Sequence, residues 1–375
     1  MSLLPDADSF HRLADGSAKG PVAALSRAAL TALSVPYGLA MTVRNAAYDR
    51  HLLRIVSAPV PVVSVGNLTL GGTGKTPLVA WIAKRLCEAG LHVTIVSRGY
   101  GAKLGEPSDE SAELGILLPN VPHRADRDRV AAARAAAKHG ADVVILDDGF
   151  QHRRLARDLD IVAVDATNPF GCGFIFPRGL LREPLVGLCR AQAVVLTRAS
   201  FVTSDRRAEI RRTLAAVCGS RLPAVWAEAS HAPVHLRTAS GTTMPLDFLQ
   251  GKRIAAFAGI GNPAAFRTTL EKLGSTLVGF RALADHHAYS REDNAAIAGW
   301  AHDLHADAIV TTLKDLVKVE AEHLGDIPLV ALQIAIEITA GLESFDRVLR
   351  TILSRSPSGS TRTQQTSSMT QHDPA

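Results

Sequence analysis

The chain has 375 residues, 47% hydrophobic and 21% charged, the composition of a soluble globular protein of about two domains rather than a fibrous, low-complexity or wholly disordered one. The net charge of +5 suits an anionic ligand, an anionic membrane surface or nucleic acid, but aromatics at 5% without aromatic–basic interleaving argue against a surface that stacks bases. Cys87, Cys172, Cys189 and Cys218 show no Cys-x-x-Cys spacing, so neither a zinc site nor a disulfide framework is expected, and a reducing cytoplasm is the default compartment.

Residues 1–20 carry Asp6, Asp8, His11, Arg12, Asp15 and Lys19 and lack the apolar core of a secretory signal. Residues 28–43 are uncharged but contain Pro36 and Gly38, and are too short and broken for a transmembrane helix, which needs about 20 apolar residues. Arg27, Arg44, Arg50 and Arg54, with Tyr37 and Tyr48, suit a helix pair lying in a membrane interface; an ordinary buried N-terminal helix is the alternative. Next come a strand at 61–66, a helix at 76–89 stopped by Gly90, a strand at 92–97, and an alanine-rich helix at 127–139 ending at Gly140. The runs 143–146, 161–164 and 193–196 are continuously apolar, as in parallel strands buried on both faces. Residues 233–247 form a polar, irregular connector. Beyond it lie a strand at 253–258 running into Gly259-Ile260-Gly261-Asn262-Pro263, a helix to about Leu273, and strands at 276–280 and 308–312 with a helix between. From Arg355 the chain is Ser, Thr, Gln and Pro with little apolar content, the signature of a disordered tail.

This order predicts an α/β fold: a P-loop NTPase-like doubly wound sheet, a second, smaller α/β domain, and an N-terminal membrane-interface helical segment. The expected divisions are an extension at 1–24, a nucleotide-binding domain at 25–240, the smaller domain at 241–354 and a tail at 355–375.

Gly71-Gly72-Thr73-Gly74-Lys75-Thr76 sits between the first strand and its helix. Glycines there let backbone N–H groups converge on an anion, and the helix start adds its positive end. Lys75 is placed to meet the outer phosphates, and Thr76 to offer a hydroxyl to Mg²⁺. The match to the common pattern is incomplete, because Thr69 occupies the early glycine position and Leu70 the place where a variant class carries lysine. Asp147 and Asp148 end the strand at 143–146, where carboxylates hold Mg²⁺ in such enzymes; a plain Asp-Asp-Gly turn is the alternative.

The string goes on as Gly149-Phe150-Gln151-His152, and here the sequence resembles the tetraacyldisaccharide 4'-kinases of lipid A biosynthesis. The resembling pieces include Val65-Gly66-Asn67-Leu68 through Pro77, Ser97-Arg98-Gly99-Tyr100-Gly101, Asp128-Arg129-Val130 and Asp147 to His152. Phe170-Gly171, Gly173, Leu181-Arg182-Glu183-Pro184, Phe257 to Pro263, Asp285-His286-His287, and Thr311-Thr312 with Lys314-Asp315 follow in the family order. The family's own loop lacks the early glycine. Departures are Ser108-Asp109-Glu110-Ser111 for a Gly-Asp-Glu-Pro-like string, Cys172 for Asn and Leu313 for Glu.

The resemblance implies transfer of the γ-phosphate of ATP to the 4'-hydroxyl of a tetraacyldisaccharide 1-phosphate lipid. It also implies peripheral contact with the cytoplasmic face of the bacterial inner membrane, and no nucleic-acid partner. Lys75 and the loop Gly71, Gly72, Thr73, Gly74 and Thr76 would then serve ATP, and Thr76, Asp147 and Asp148, with Glu183, would serve Mg²⁺. Arg182 is a candidate clamp on the transferring phosphoryl group, or else the ion-pair partner of Glu183 or another acid. Asp109, from the first domain, would pair with His286 of the second, orienting the imidazole as proton acceptor. Tyr100 would contact nucleotide or lipid, or simply pack. A different P-loop enzyme would want lysine at Leu70 or a base-reading Asn-Lys-x-Asp string, and a non-enzymatic ATP switch would not need the Asp285-His286 pair.

Overall fold

A computed structural model describes residues 7–99 and 108–355 and divides the chain into two compact units. The first comprises Met1–Gly99, Leu118–Ser230 and Ile338–Ala375, and the second Tyr100–Leu117 and His231–Glu337. Tyr100 and the expected tail beyond Arg355 lie outside the described residues. The chain therefore crosses between units at four places, instead of dividing once near residue 240. Helix Asp109–Leu117 belongs to the second unit and helix Leu342–Leu353 to the first.

In the first unit, strand Val62–Gly66 lies between Val143–Asp147 and Leu159–Asp165, all parallel. Val93–Ser97 and His123–Ala125 continue the sheet on one side, and Ala193–Thr197 and then Val225 onward on the other. The β-branched, continuously apolar strands are buried on both faces because helices cover both. Val62, Val144 and Leu146 pack on the alanine face of helix Arg129–Lys138, whereas Val162, Val164, Val194 and Leu196 pack on Phe150 and on Ile210 and Leu214 of helix Ser204–Cys218. Gly66 is required where it stands: a Cβ there would lie 2.6 Å from the Cβ of Phe150, so the strand end and the Gly149-Phe150 turn touch backbone to side chain.

In the second unit, Thr276–Ala282, Arg253–Ala258, Ala308–Thr312 and Ile327 onward form a parallel sheet in that order. Alternation along Arg253–Ala258 sends Ile254, Ala256 and Ala258 toward Phe266 and Leu270, and Ala255 and Phe257 toward Ile297, Leu313 and Leu316, with Ile116 and Leu117 joining them.

Three expectations change. Residues 28–43 are not a broken pair but part of one 29-residue helix, Pro21–Asp49, which continues through Pro36 and is long and apolar enough to cross a membrane by length and composition. Proline costs the helix a hydrogen bond. Tertiary anchors on the far side offset that cost: the Tyr37 hydroxyl donates to the Arg182 carbonyl at 2.9 Å, and Arg153 donates to the Asn45 carbonyl at 3.0 Å. The expected irregular connector from 233 begins instead as strand, since Val225–Arg237 runs on to Arg237. Cys189 and Cys218 form a disulfide with a Cα–Cα distance of 5.2 Å, because the turn Leu185–Arg190 packs on the end of helix Ser204–Cys218; a spacing of 29 residues carried no local signal of this.

Phe150 is fully buried and has the Arg190 guanidinium 3.7 Å from its ring centroid. Phe150→Ala should cost about 3–5 kcal/mol through cavity formation, read as a lower urea midpoint. A loss below about 1 kcal/mol would show that the turn does not lock the sheet.

Candidate active site

Register places the first chemical groups. Val65 pairs with Asp147 across the two central strands, so the phosphate-type loop and the Asp147-Asp148 corner leave the same edge of the sheet, at its carboxyl ends. Gly71 and Gly74 take φ values of 96° and 77°, the left-handed region that glycine enters without strain. Helix Lys75–Glu88 follows with no side-chain cap on its first turn, leaving amide donors and the positive helix end for an anion. The loop is held through its carbonyl oxygens: Thr197 Oγ1 donates to Thr73 O at 2.8 Å and Arg198 to Gly72 O at 2.9 Å. The buried Asn67 donates to Thr69 O at 2.8 Å and to Thr73 Oγ1 at 2.9 Å.

Asp148 gathers the charge. Lys75 Nζ lies 3.4 Å from its Oδ1, and Arg182 NH1 donates to both carboxylate oxygens at 3.0 and 2.8 Å. The buried Arg129 donates to the Asp148 carbonyl at 2.8 Å. Burial alone would raise this carboxyl, but Lys75, Arg182 and then Arg129 outweigh it and hold Asp148 well below the usual carboxylate range. Asp148 also sits at φ 49°, unusual for a residue with a side chain and a conformation that clusters at functional sites. Asp147, 2% exposed, stands beside it at the strand end.

Arg182 is thus the partner of Asp148 rather than of Glu183. Glu183, 1% exposed, has both oxygens engaged: Arg190 donates at 2.7 and 2.8 Å, Gln151 at 2.9 Å and Asn45 at 2.7 Å. A carboxylate so saturated has no lone pair directed at an ion, so the metal-ligand reading of Glu183 gives way to a bracing one: it ties the Pro21–Asp49 helix, the Gln151 turn and the Leu185–Arg190 turn together. Close by, His152 is pushed down to about 4, first by burial and then by Arg129, Arg157, Arg154 and Arg44.

Could Mg²⁺ fit here? The donor set is hard oxygen, Thr76 on the first helical turn and Asp147 with Asp148 at the neighbouring strand end. Among the described residues, no group of three or more His, Cys, Asp or Glu forms a metal cage. Few protein ligands beside a phosphate loop is the Mg²⁺ pattern, since that ion is shared with substrate phosphates and water.

The second unit holds the other predicted pair. Asp109 Oδ2 lies 3.1 Å from His286 Nδ1. A carboxylate only accepts, so Nδ1 carries the proton and Nε2 is left as the basic nitrogen. Both residues belong to the same unit, in contrast to the expected pairing across domains. His286 is 43% exposed and has φ 61°. Lys314 Nζ lies 3.5 Å from its Nε2 and 2.9 Å from Asp285 Oδ1. The structure therefore groups Lys75, Thr76, Asp147, Asp148 and Arg182 in the first unit and Asp109 with His286 in the second. Sequence reasoning missed Thr197 and Arg198 behind the loop, and Lys318 near Asp109. Only the i, i+3 spacing of Asp315 and Lys318 on one helix face could have pointed to the last.

Residues 26–354 match the sequence profile of the tetraacyldisaccharide-1-P 4'-kinase family, LpxK. A tetraacyldisaccharide 4'-kinase of Anaeromyxobacter sp. (strain K) is 41% identical over 320 residues, covering 80% of this chain and 84% of that one. The enzyme of the same name from Syntrophus aciditrophicus (strain SB) is 40% identical over 334 residues, covering 82% and 88%. Among solved structures, LpxK from Aquifex aeolicus in complex with ATP superposes with a TM-score of 0.67 at 30% identity, covering 87% of this chain and 99% of that one. With a shared profile, relatives matched over most of their length and the same fold, this chain belongs to the tetraacyldisaccharide-1-P 4'-kinase family.

Proposed function

We infer that the Asp148 constellation and the Asp109–His286 pair carry the family's reaction in this chain. That reaction is transfer of the γ-phosphate of ATP to the 4'-hydroxyl of tetraacyldisaccharide 1-phosphate, the step of lipid A biosynthesis that gives lipid IVA. The observation that supports the assignment best is the Asp148 carboxylate held between Lys75 and Arg182 beside the Gly71–Thr76 loop. Phosphoryl transfer is mainly positioning and neutralisation of charge. The loop amides and Lys75 bind the phosphates, and Arg182, tethered to Asp148 through NH1, offers its guanidinium to the moving phosphoryl group. Thr76 and Asp147, with Asp148, would hold Mg²⁺, which supplies further neutralisation of phosphate charge. His286 Nε2 accepts the proton of the sugar hydroxyl while Asp109 fixes the imidazole tautomer.

The acceptor is a lipid, and helix Pro21–Asp49 offers it a surface. Val22, Leu25, Leu33, Val35, Leu39 and Val43 are exposed along it. Apolar side chains in a row outside any core suit peripheral contact with a bilayer, here the cytoplasmic face of the inner membrane, where ATP is at hand.

Labelled γ-phosphate should pass from ATP and Mg²⁺ to tetraacyldisaccharide 1-phosphate in detergent micelles. Lys75→Ala should lower that transfer by about 100-fold or more; near-normal product would remove the loop from the mechanism. His286→Ala should slow single-turnover transfer by about 10²-fold or more while leaving ATP affinity within about twofold. Loss of ATP affinity instead would mark a structural role.

The His152 shift also sets a pH dependence. An unfolded chain takes up its proton near 6.5 and the folded one near 4, so the unfolded state binds more protons in between. The stability contributed by neutral His152 is complete above about pH 6.5 and is lost as pH falls toward 4. Discounted for partial exposure it is about 1–2 kcal/mol. His152→Gln should therefore lose about 2–4 °C less in Tm than the parent between pH 7 and 4.5; equal losses would contradict the assignment.

A further inference from the structure

The Thr312–Lys318 segment is not used by the mechanism above, yet it holds the most completely buried acid of the second unit. Asp315 is 0% exposed. Its Oδ2 accepts from the Gly259 amide at 3.0 Å and the Thr312 hydroxyl at 2.7 Å, and its Oδ1 from the Tyr289 hydroxyl at 3.0 Å. A carboxylate removed from water and satisfied in this way is a fixed anchor. One helical turn on, Lys318 Nζ lies 3.2 Å from Asp315 Oδ1 and 3.6 Å from Asp109 Oδ2. The ammonium is buried, and neither contact has hydrogen-bond alignment. It is held by charge, between an anchored acid and the acid that meets His286.

We propose that Lys318 is a positioning residue for the Asp109–His286 pair: anchored on Asp315, its ammonium holds Asp109 Oδ2 toward His286 Nδ1 and sets how readily the imidazole takes the proton of the acceptor hydroxyl. The inference rests on the dyad reading given above. The same oxygen, Asp109 Oδ2, faces both Nδ1 at 3.1 Å and the ammonium at 3.6 Å, so the lysine charge is within about 7 Å of the ring. The other groups around the imidazole are Asp285, 3.9 Å from Nε2, and Lys314, 3.5 Å from it. Glu110 and Glu113 act on Lys314 from helix Asp109–Leu117, and Asp293 is paired with His287. Three aspartates, Asp109, Asp285 and Asp315, thus face two lysines. Removing Lys318 leaves the imidazole in a more negative setting, in which protonation is easier and the free base is lost at higher pH. A plain i, i+3 ion pair bracing the helix would have no such effect.

The test is single-turnover phosphoryl transfer to tetraacyldisaccharide 1-phosphate as a function of pH, in the full chain, for K318M, K318R, H286A and the K318M/H286A double variant. K318M should lower the rate about tenfold at pH 7 with KM for ATP within about twofold. It should also raise the acid limb of the profile by about 0.5–1 pH unit. K318R should restore the parent profile, and in the H286A background K318M should cost less than about twofold more, because the group it acts through is gone. If melting shows K318M unfolded, K318Q takes its place and should behave in the same way. H286A impaired, with K318M at the parent rate and profile, would overturn the Lys318 role alone, as would a K318M loss of equal size with and without His286. H286A at the parent rate would overturn the dyad, and this inference with it.

Discussion

Strand Val62–Gly66 ends beside Asp147 because the two strands are parallel and in register, Val65 against Asp147. Everything in the first unit's site follows from that pairing. Parallel strands release their chains at the same edge, so a loop leaving one and an acidic corner leaving the other meet without any long-range search. The pairing in turn needs two positions without a side chain. Gly66 lets Phe150 close over the strand end, and Gly149 avoids Leu146 and the Ser64 hydroxyl, each of which would lie 2.7 Å from a Cβ.

Three carboxylates, the partly exposed Asp148 and the buried Glu183 and Asp315, show how the fold compensates negative charge. Asp148, Glu183 and Asp315 are each supplied with several donors, yet of different kinds. Asp148 faces cations that a substrate phosphate also wants, Glu183 is closed off by Arg190 and two amides, and Asp315 is satisfied by an amide and two hydroxyls with a lysine alongside. Only the first has partners that could be shared with a ligand. Both burial and donor set therefore set Asp148, partly exposed and paired with cations, apart from the two enclosed acids that hold the scaffold.

The sequence was most informative where chemistry is local. The loop glycines, the Asp147-Asp148 corner and the apolar strand runs are patterns of neighbouring residues, and the structure has them where they were expected. It was least informative where a partner lies far along the chain. Arg182 sits next to Glu183 in sequence but pairs with Asp148, 34 residues away, while Glu183 turns to Asn45, 138 residues away. Pro36 looks like a helix end, but the helix continues through it, with Tyr37 and Asn45 beyond it anchored to distant segments. The family resemblance placed Asp109 in the first domain, yet its helix buries Leu114 and packs Ile116 and Leu117 with the core around Phe257. Propensity and period report an element's type and its apolar face, but not which core that face joins.

The fourfold crossing between units bears on how the chain is made. A ribosome releases the central strands of the first unit early, yet that unit also requires Leu342–Leu353, whose Phe345 stacks on Trp81 with ring centroids 5.6 Å apart and whose Asp346 pairs with Arg85. The second unit, complete at Glu337, is synthesised in full before the first can finish. The nucleotide-type loop thus belongs to a body begun first and closed last. Its supporting helix Lys75–Glu88 waits, with Trp81 uncovered, for more than half of translation.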